Sequence, residues 1–108
     1  MSEYCIVLTT VSSQQDADHI IQTMLEKKLA ACMQTLDIGS HYIWKDEVCH
    51  DQEVMILFKT SWRLYEELEA ELKKSHPYET PEIIAIDIEK GYKGYLEWID
   101  ETTKPEIL

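Results

Sequence analysis

The run VMILF, Val54–Phe58, places five apolar residues in a row inside a segment, Val48–Thr60, that reads as a long strand. Successive strand residues point to opposite faces of a sheet. A strand with one face on a core and one in water therefore alternates apolar with polar. Val54–Phe58 does not alternate, and neither does Cys5–Leu8 (CIVL). Apolar side chains must project from both sides of the sheet, so both sides must be covered.

The other segments say what covers the first side. Tyr4–Thr10 (YCIVLTT) reads as a strand. Ser12, Ser13 and Asp16 carry capping and first-turn signals for a helix whose Ala17, Ile20, Ile21, Met24, Leu25 and Leu29 recur at helical spacing. Cys32–Trp44 is extended, with Gly39 expected to mark a bulge. Lys45-Asp46-Glu47 turns the chain back into Val48–Thr60. Ser61 is expected to cap a second helix striped by Leu64, Tyr65, Leu68 and Leu72. After the loop SHPYETPE comes a strand over Glu82–Ile88. Gly91 and Gly94 flank the start of a last short helix carrying Tyr95, Leu96 and Ile99.

This order, β-α-β-β-α-β plus a C-terminal helix, predicts an α+β ferredoxin-like sandwich. Right-handed crossovers put both main helices on one face of a four-stranded sheet. A final helix of about ten residues is too short to screen the other face. Tyr42, Ile43 and Trp44, far out on the hairpin, add to the uncovered apolar surface. A homo-oligomer is the economical cover.

The 108 residues are expected to form a single domain spanning 1–108. A formal net charge of −11 would repel a phosphate backbone, so nucleic acid is not an expected partner, and cations concentrate near such a surface. No apolar run approaches the roughly 20 residues that span a bilayer, and the N-terminus lacks the pattern of a signal peptide. Three cysteines, an odd number, point to reduced thiols and a cytoplasmic protein. Cys5 and Cys32 read as small core hydrophobes.

The chemistry-bearing residues are sparse. His76, Tyr78 and Glu79 stand in the loop between Ser75 and Pro81. Imidazole and carboxylate suit Zn, Cu or Ni, and the same two groups could serve as an acid–base pair. Equally, Pro77 and Pro81 could make the segment only the bend that stops a helix and starts a strand. Cys49-His50-Asp51 offers too few ligands on one strand face for a metal. His19 and His41 have no partner in sequence. The YEELEAELKKS stretch reads as a solvated helix face in which Glu69 and Lys73 pair. No phosphate loop, nucleophile elbow, CxxC or HExxH is present.

Taken together, KKLAACMQT, HYIWKDEV, EVMILFKT and SHPYETPEIIAI resemble the CutA divalent-cation-tolerance proteins over essentially the whole chain and in the same order. The resemblance implies a homotrimer similar in architecture to the PII signalling proteins. It also implies a part in tolerance of divalent metal ions, copper foremost, and the preferred reading is a non-enzymatic metal-responsive or ligand-binding protein. The family's proposed copper ligands fall on Thr9, Ser75 and His76, of which only His76 is a good ligand; weak binding is expected there. Tyr42, Trp44, Lys59, His76, Tyr78 and Glu79 are the candidates for contact with a ligand or a neighbouring subunit. Two other readings remain: a small enzyme using His76 and Glu79 in an intersubunit cleft, and a purely structural partner-binding trimer.

Overall fold

The computed structural model describes residues 1–106. Strand β1 (Tyr4–Val11) leads to helix α1 (Gln14–Glu26), then to β2 (Cys32–Trp44) and β3 (Glu47–Ser61). A single 3-10 turn at Trp62–Leu64 opens α2 (Tyr65–Ser75), followed by β4 (Ile84–Asp87) and α3 (Lys93–Thr102). The antiparallel sheet runs β2-β3-β1-β4, the expected ferredoxin-like order.

Local chemistry sets the ends of α1. Ser13 is the N-cap, and its hydroxyl accepts from the Asp16 amide at 3.1 Å. At the other end the Lys28 amide donates to Leu25 and the Leu29 amide to Met24, closing a Schellman motif. Lys28 holds the left-handed position of that motif, φ 54°, where glycine is usual. Leu29 thus lies beyond the helix whose stripe it extends in sequence, yet it is fully buried in the core.

Two signals in the sequence mislead. Gly39 makes no bulge: pairing runs unbroken from Cys32 opposite Lys59 to Trp44 opposite Glu47, with Gly39 opposite Gln52. The glycine leaves room instead, since a Cβ there would lie 3.6 Å from His50 Nε2. Ser61 makes no capping bond; its hydroxyl reaches Asp100 at 3.1 Å, tying α3 to the end of β3. The hairpin turn is Lys45-Asp46, both at positive φ (50° and 66°), the two-residue geometry whose twist suits flanking strands. Strand β4 is shorter than the apolar run implies, although Ile88 still donates to the Tyr4 carbonyl.

The helices cover the face formed by Cys5, Val7, Val11, Val54, Ile56 and Phe58, against which Ala17, Ile20, Met24, Leu68 and Leu72 pack. Cys5 is in this core; Cys32 is half-buried on the opposite face beside Tyr95 and is not. The helical carboxylates find partners elsewhere than expected: Glu69 accepts from Tyr65, while Glu71 and Glu67 pair with Lys27 and Lys104. On the outer face Ile6, Leu8, Met55 and Leu57 are half-buried, and Leu36, Ile84 and Ile86 remain 47%, 48% and 51% exposed. Helix α3 covers one end of that face, burying Ile99 and setting Tyr95 against Lys59. The rest is bare.

Beyond Val54, β3 has left β1 and pairs with β2 alone. The two strands continue as a ribbon that gives the molecule a long axis of 46 Å. The prolyl loop sits beside the root of this ribbon.

Candidate functional site

Pro77 stands one residue past the end of α2, so the helix stops at Ser75 and His76, preceding the proline, takes an extended conformation. This turns the imidazole inward over β1, leaving it 8% exposed. Its Nδ1 accepts from the Tyr78 amide at 3.1 Å, so in the neutral ring Nε2 carries the proton. That Nε2 lies 2.9 Å from the Thr10 carbonyl, to which it donates, and 3.1 Å from the Thr9 hydroxyl. Burial holds the His76 pKa below the usual imidazole value, against the hydrogen bond to Thr10 and the charges of Asp16 and Glu53, which raise it.

Tyr78 stacks edge-on against His76, with ring centroids 4.8 Å apart, and its hydroxyl donates to Glu53 at 2.6 Å. Burial, then the bond to Glu53, holds its hydroxyl pKa well above the ordinary range. On the ribbon, Tyr42 donates to Asp51, a bond that raises its pKa to about 12. Between ribbon and loop lies an open groove of about 750 Å³. Asp51, Glu53, Glu79 and Glu82 line it with Tyr42, Trp44, Tyr78 and His41, and no Lys or Arg is among the lining residues.

The structure thus brings Tyr42, Trp44, Tyr78 and Glu79 to one groove and places His76 behind it as the support of the loop. Lys59 stands apart, its ammonium 5.7 Å from the Tyr95 ring on α3. His76 and Glu79 do not form a pair: the histidine bonds to Thr9, Thr10 and Tyr78, and Glu79 is exposed. Thr9 and His76 do meet, but as hydrogen-bonded neighbours. Among the described residues, no three His, Cys, Asp or Glu side chains converge as a metal cluster.

Sequence reasoning missed Glu53 and Glu82, and set Asp51 aside together with Cys49 and His50. Glu53 differs from the other surface acids only in preceding the apolar run of β3, and no local signal ties it to Tyr78. It also missed that His41 stands opposite His50. That pairing could have been counted back from the two-residue turn.

A four-stranded antiparallel sheet in β-α-β-β-α-β order, with a long ribbon beside an acidic groove, makes this a protein of the α+β ferredoxin-like class. The chain belongs to the CutA1 divalent ion tolerance family, whose model matches residues 5–102. It is 39% identical over 99 residues to the divalent-cation tolerance protein CutA of Thermus thermophilus, covering 91% of this chain and 96% of that one. The structure resembles that of the periplasmic divalent cation tolerance protein CutA from Archaeoglobus fulgidus at a TM-score of 0.91, with 38% identity over 94% of this chain and 99% of that one. It resembles CutA1 from Oryza sativa at 0.92, with 31% identity over 96% of each chain.

Proposed function

We propose that this chain acts in divalent-cation tolerance by binding, not catalysis, as a cytoplasmic homotrimer that holds a divalent ion in the groove between ribbon and prolyl loop. The observation that carries the reading is the lining: four carboxylates and no cation facing one cleft. Carboxylates without counterions attract a dication, and the protein's formal charge of −11 raises the local cation concentration. Groups from a neighbouring subunit, or water, complete the coordination that one chain leaves open. Affinity follows the general order for first-row ions, which puts copper(II) at the top.

The trimer is supported by the exposed Leu36, Ile84 and Ile86 of the outer face, and by Ile43 and Val48 at the ribbon tip, 74% and 85% exposed. His76 serves the groove indirectly, because both ring nitrogens are engaged in holding the loop that carries Tyr78 and Glu79.

Calorimetric titration of the trimer with copper(II), zinc(II) and manganese(II) tests the reading, comparing wild type with Glu53→Gln and Glu79→Gln. Binding weakened by both substitutions supports it. Binding unchanged in both variants removes the groove as the site.

A further inference from the structure

The ribbon carries a second arrangement of ligand groups, built on its two strands alone. His41 of β2 and His50 of β3 are direct cross-strand partners. Their rings lie 4.0 Å apart, centroid to centroid, and within 11° of parallel. Both side chains are exposed, and among the described residues neither ring makes a hydrogen bond. The contrast with His76 is chemical: there both nitrogens are taken, here all four are open.

The backbone beneath the pair is well defined. Directly opposite residues hold their Cβ atoms about 4.5–5.5 Å apart. The unbroken register and the Lys45-Asp46 turn fix which residues those are. Gly39, diagonal to His50 on the same face, has no side chain, and His50 Nε2 lies 3.6 Å from where a Cβ would sit. This leaves free space beside a ring nitrogen.

We propose that His41 and His50 form a bis-imidazole site for a borderline divalent transition-metal ion such as Ni(II), Zn(II) or Cu(II). Metal–imidazole bonds of about 2.0–2.1 Å place two nitrogens on one tetrahedral ion roughly 3.3 Å apart. The stacked rings do not present their lone pairs to one point, so the two exposed side chains turn out of the stack about their χ angles to bring one nitrogen each to the ion. Neutral imidazole suits these ions better than Mg or Ca, so the pair selects a different class of cation from a purely carboxylate site. The remaining positions take water, or the Gln52 carboxamide, whose Nε2 also lies within 3.9 Å of the Gly39 Cβ position. His41 and Gln52 also line the edge of the groove, but His50 lies outside it and none of the four groove carboxylates is needed for the pair.

The test uses the full-length protein carrying Cys49→Ser, which removes the neighbouring thiol as a ligand, titrated with Ni(II) by calorimetry. His41→Ala and His50→Ala should each weaken binding by at least about tenfold, the loss that even an outer-shell change can bring. His19→Ala, an exposed histidine on α1 away from the ribbon and the groove, should leave this binding unchanged. Paramagnetic Ni(II) at substoichiometric amounts should broaden the His41 and His50 ring resonances first, which tests the site in unmodified protein as well. Absent binding, or binding indifferent to both alanine substitutions, would each overturn the proposal.

Discussion

Tyr78 donates its hydroxyl to the Glu53 carboxylate at 2.6 Å and so fastens the prolyl loop to the root of the ribbon. Glu53 is only 9% exposed, so little water is available to replace that donor. Tyr78→Phe keeps the ring and removes the bond, and it should destabilise the fold by about 1–3 kcal/mol, the usual cost of an unpartnered buried polar group. Urea unfolding measures this. A loss within error of zero would mean that the loop is held by other contacts.

His76 predicts a pH dependence. Its folded-state pKa lies below its ordinary value, chiefly through burial, so the unfolded chain binds the proton more tightly. The folded state is therefore favoured in full above the unfolded value of about 6.5, and this contribution declines as pH falls from there through the lower folded-state pKa. Protonation also removes the Nδ1 acceptor from the Tyr78 amide. Urea midpoints between pH 7.5 and 5 should fall more steeply for wild type than for His76→Gln. Parallel curves would dissociate the imidazole from the effect.

The unbroken apolar run of β3 made two apolar sheet faces legible, because strand alternation is a local rule, and the order of elements made the architecture legible. The prolyl loop was legible as a bend for the same reason, since Pro77 acts on its own neighbours. The bond from Tyr78 to Glu53 spans 25 positions and left no trace in either segment. Gly39 misled because a glycine opposite a large side chain and a glycine at a bulge look alike in sequence. Ser61 misled because a hydroxyl before a helix serves equally well as a tether, here to Asp100.

At the end of α1, Lys28 occupies a left-handed conformation that costs a residue with a Cβ roughly 1–2 kcal/mol. Glycine adopts it freely but loses more entropy on folding. The balance should make Lys28→Gly more stable by about 0.5–1 kcal/mol, read as a rise in the urea midpoint at constant slope. A destabilised variant would show that the Lys28 side chain contributes more than its conformation costs.

The three thiols should separate by reactivity. Cys5 is fully buried, and burial, with the charge of Asp87 adding to it, pushes its pKa up to about 11. Thiolate is the reactive form, so Cys5 should resist a disulfide reagent in the native protein. Cys32 and Cys49, both partly accessible, should react. Three fast thiols would place Cys5 outside the core.

Ile86→Asp sets a charge on the outer sheet face at a side chain already 51% exposed in the subunit. Folding of the chain should survive, and assembly should not. On the proposed trimer, sedimentation equilibrium should give three chains for the unmodified protein and one for the variant, with far-UV circular dichroism retained. An unchanged mass would take this face out of the contact.

Among the described residues, the ribbon beyond Val54 has neither helix nor third strand behind it. Two strands alone are marginal in water. Backbone amides from Gly39 to Trp44 and their partners should then exchange with solvent by local opening, far faster than those of β1. Docking against another molecule would slow them selectively. Amide exchange along this one ribbon is thus a gauge of whether the subunit is alone or engaged, readable residue by residue without unfolding the rest.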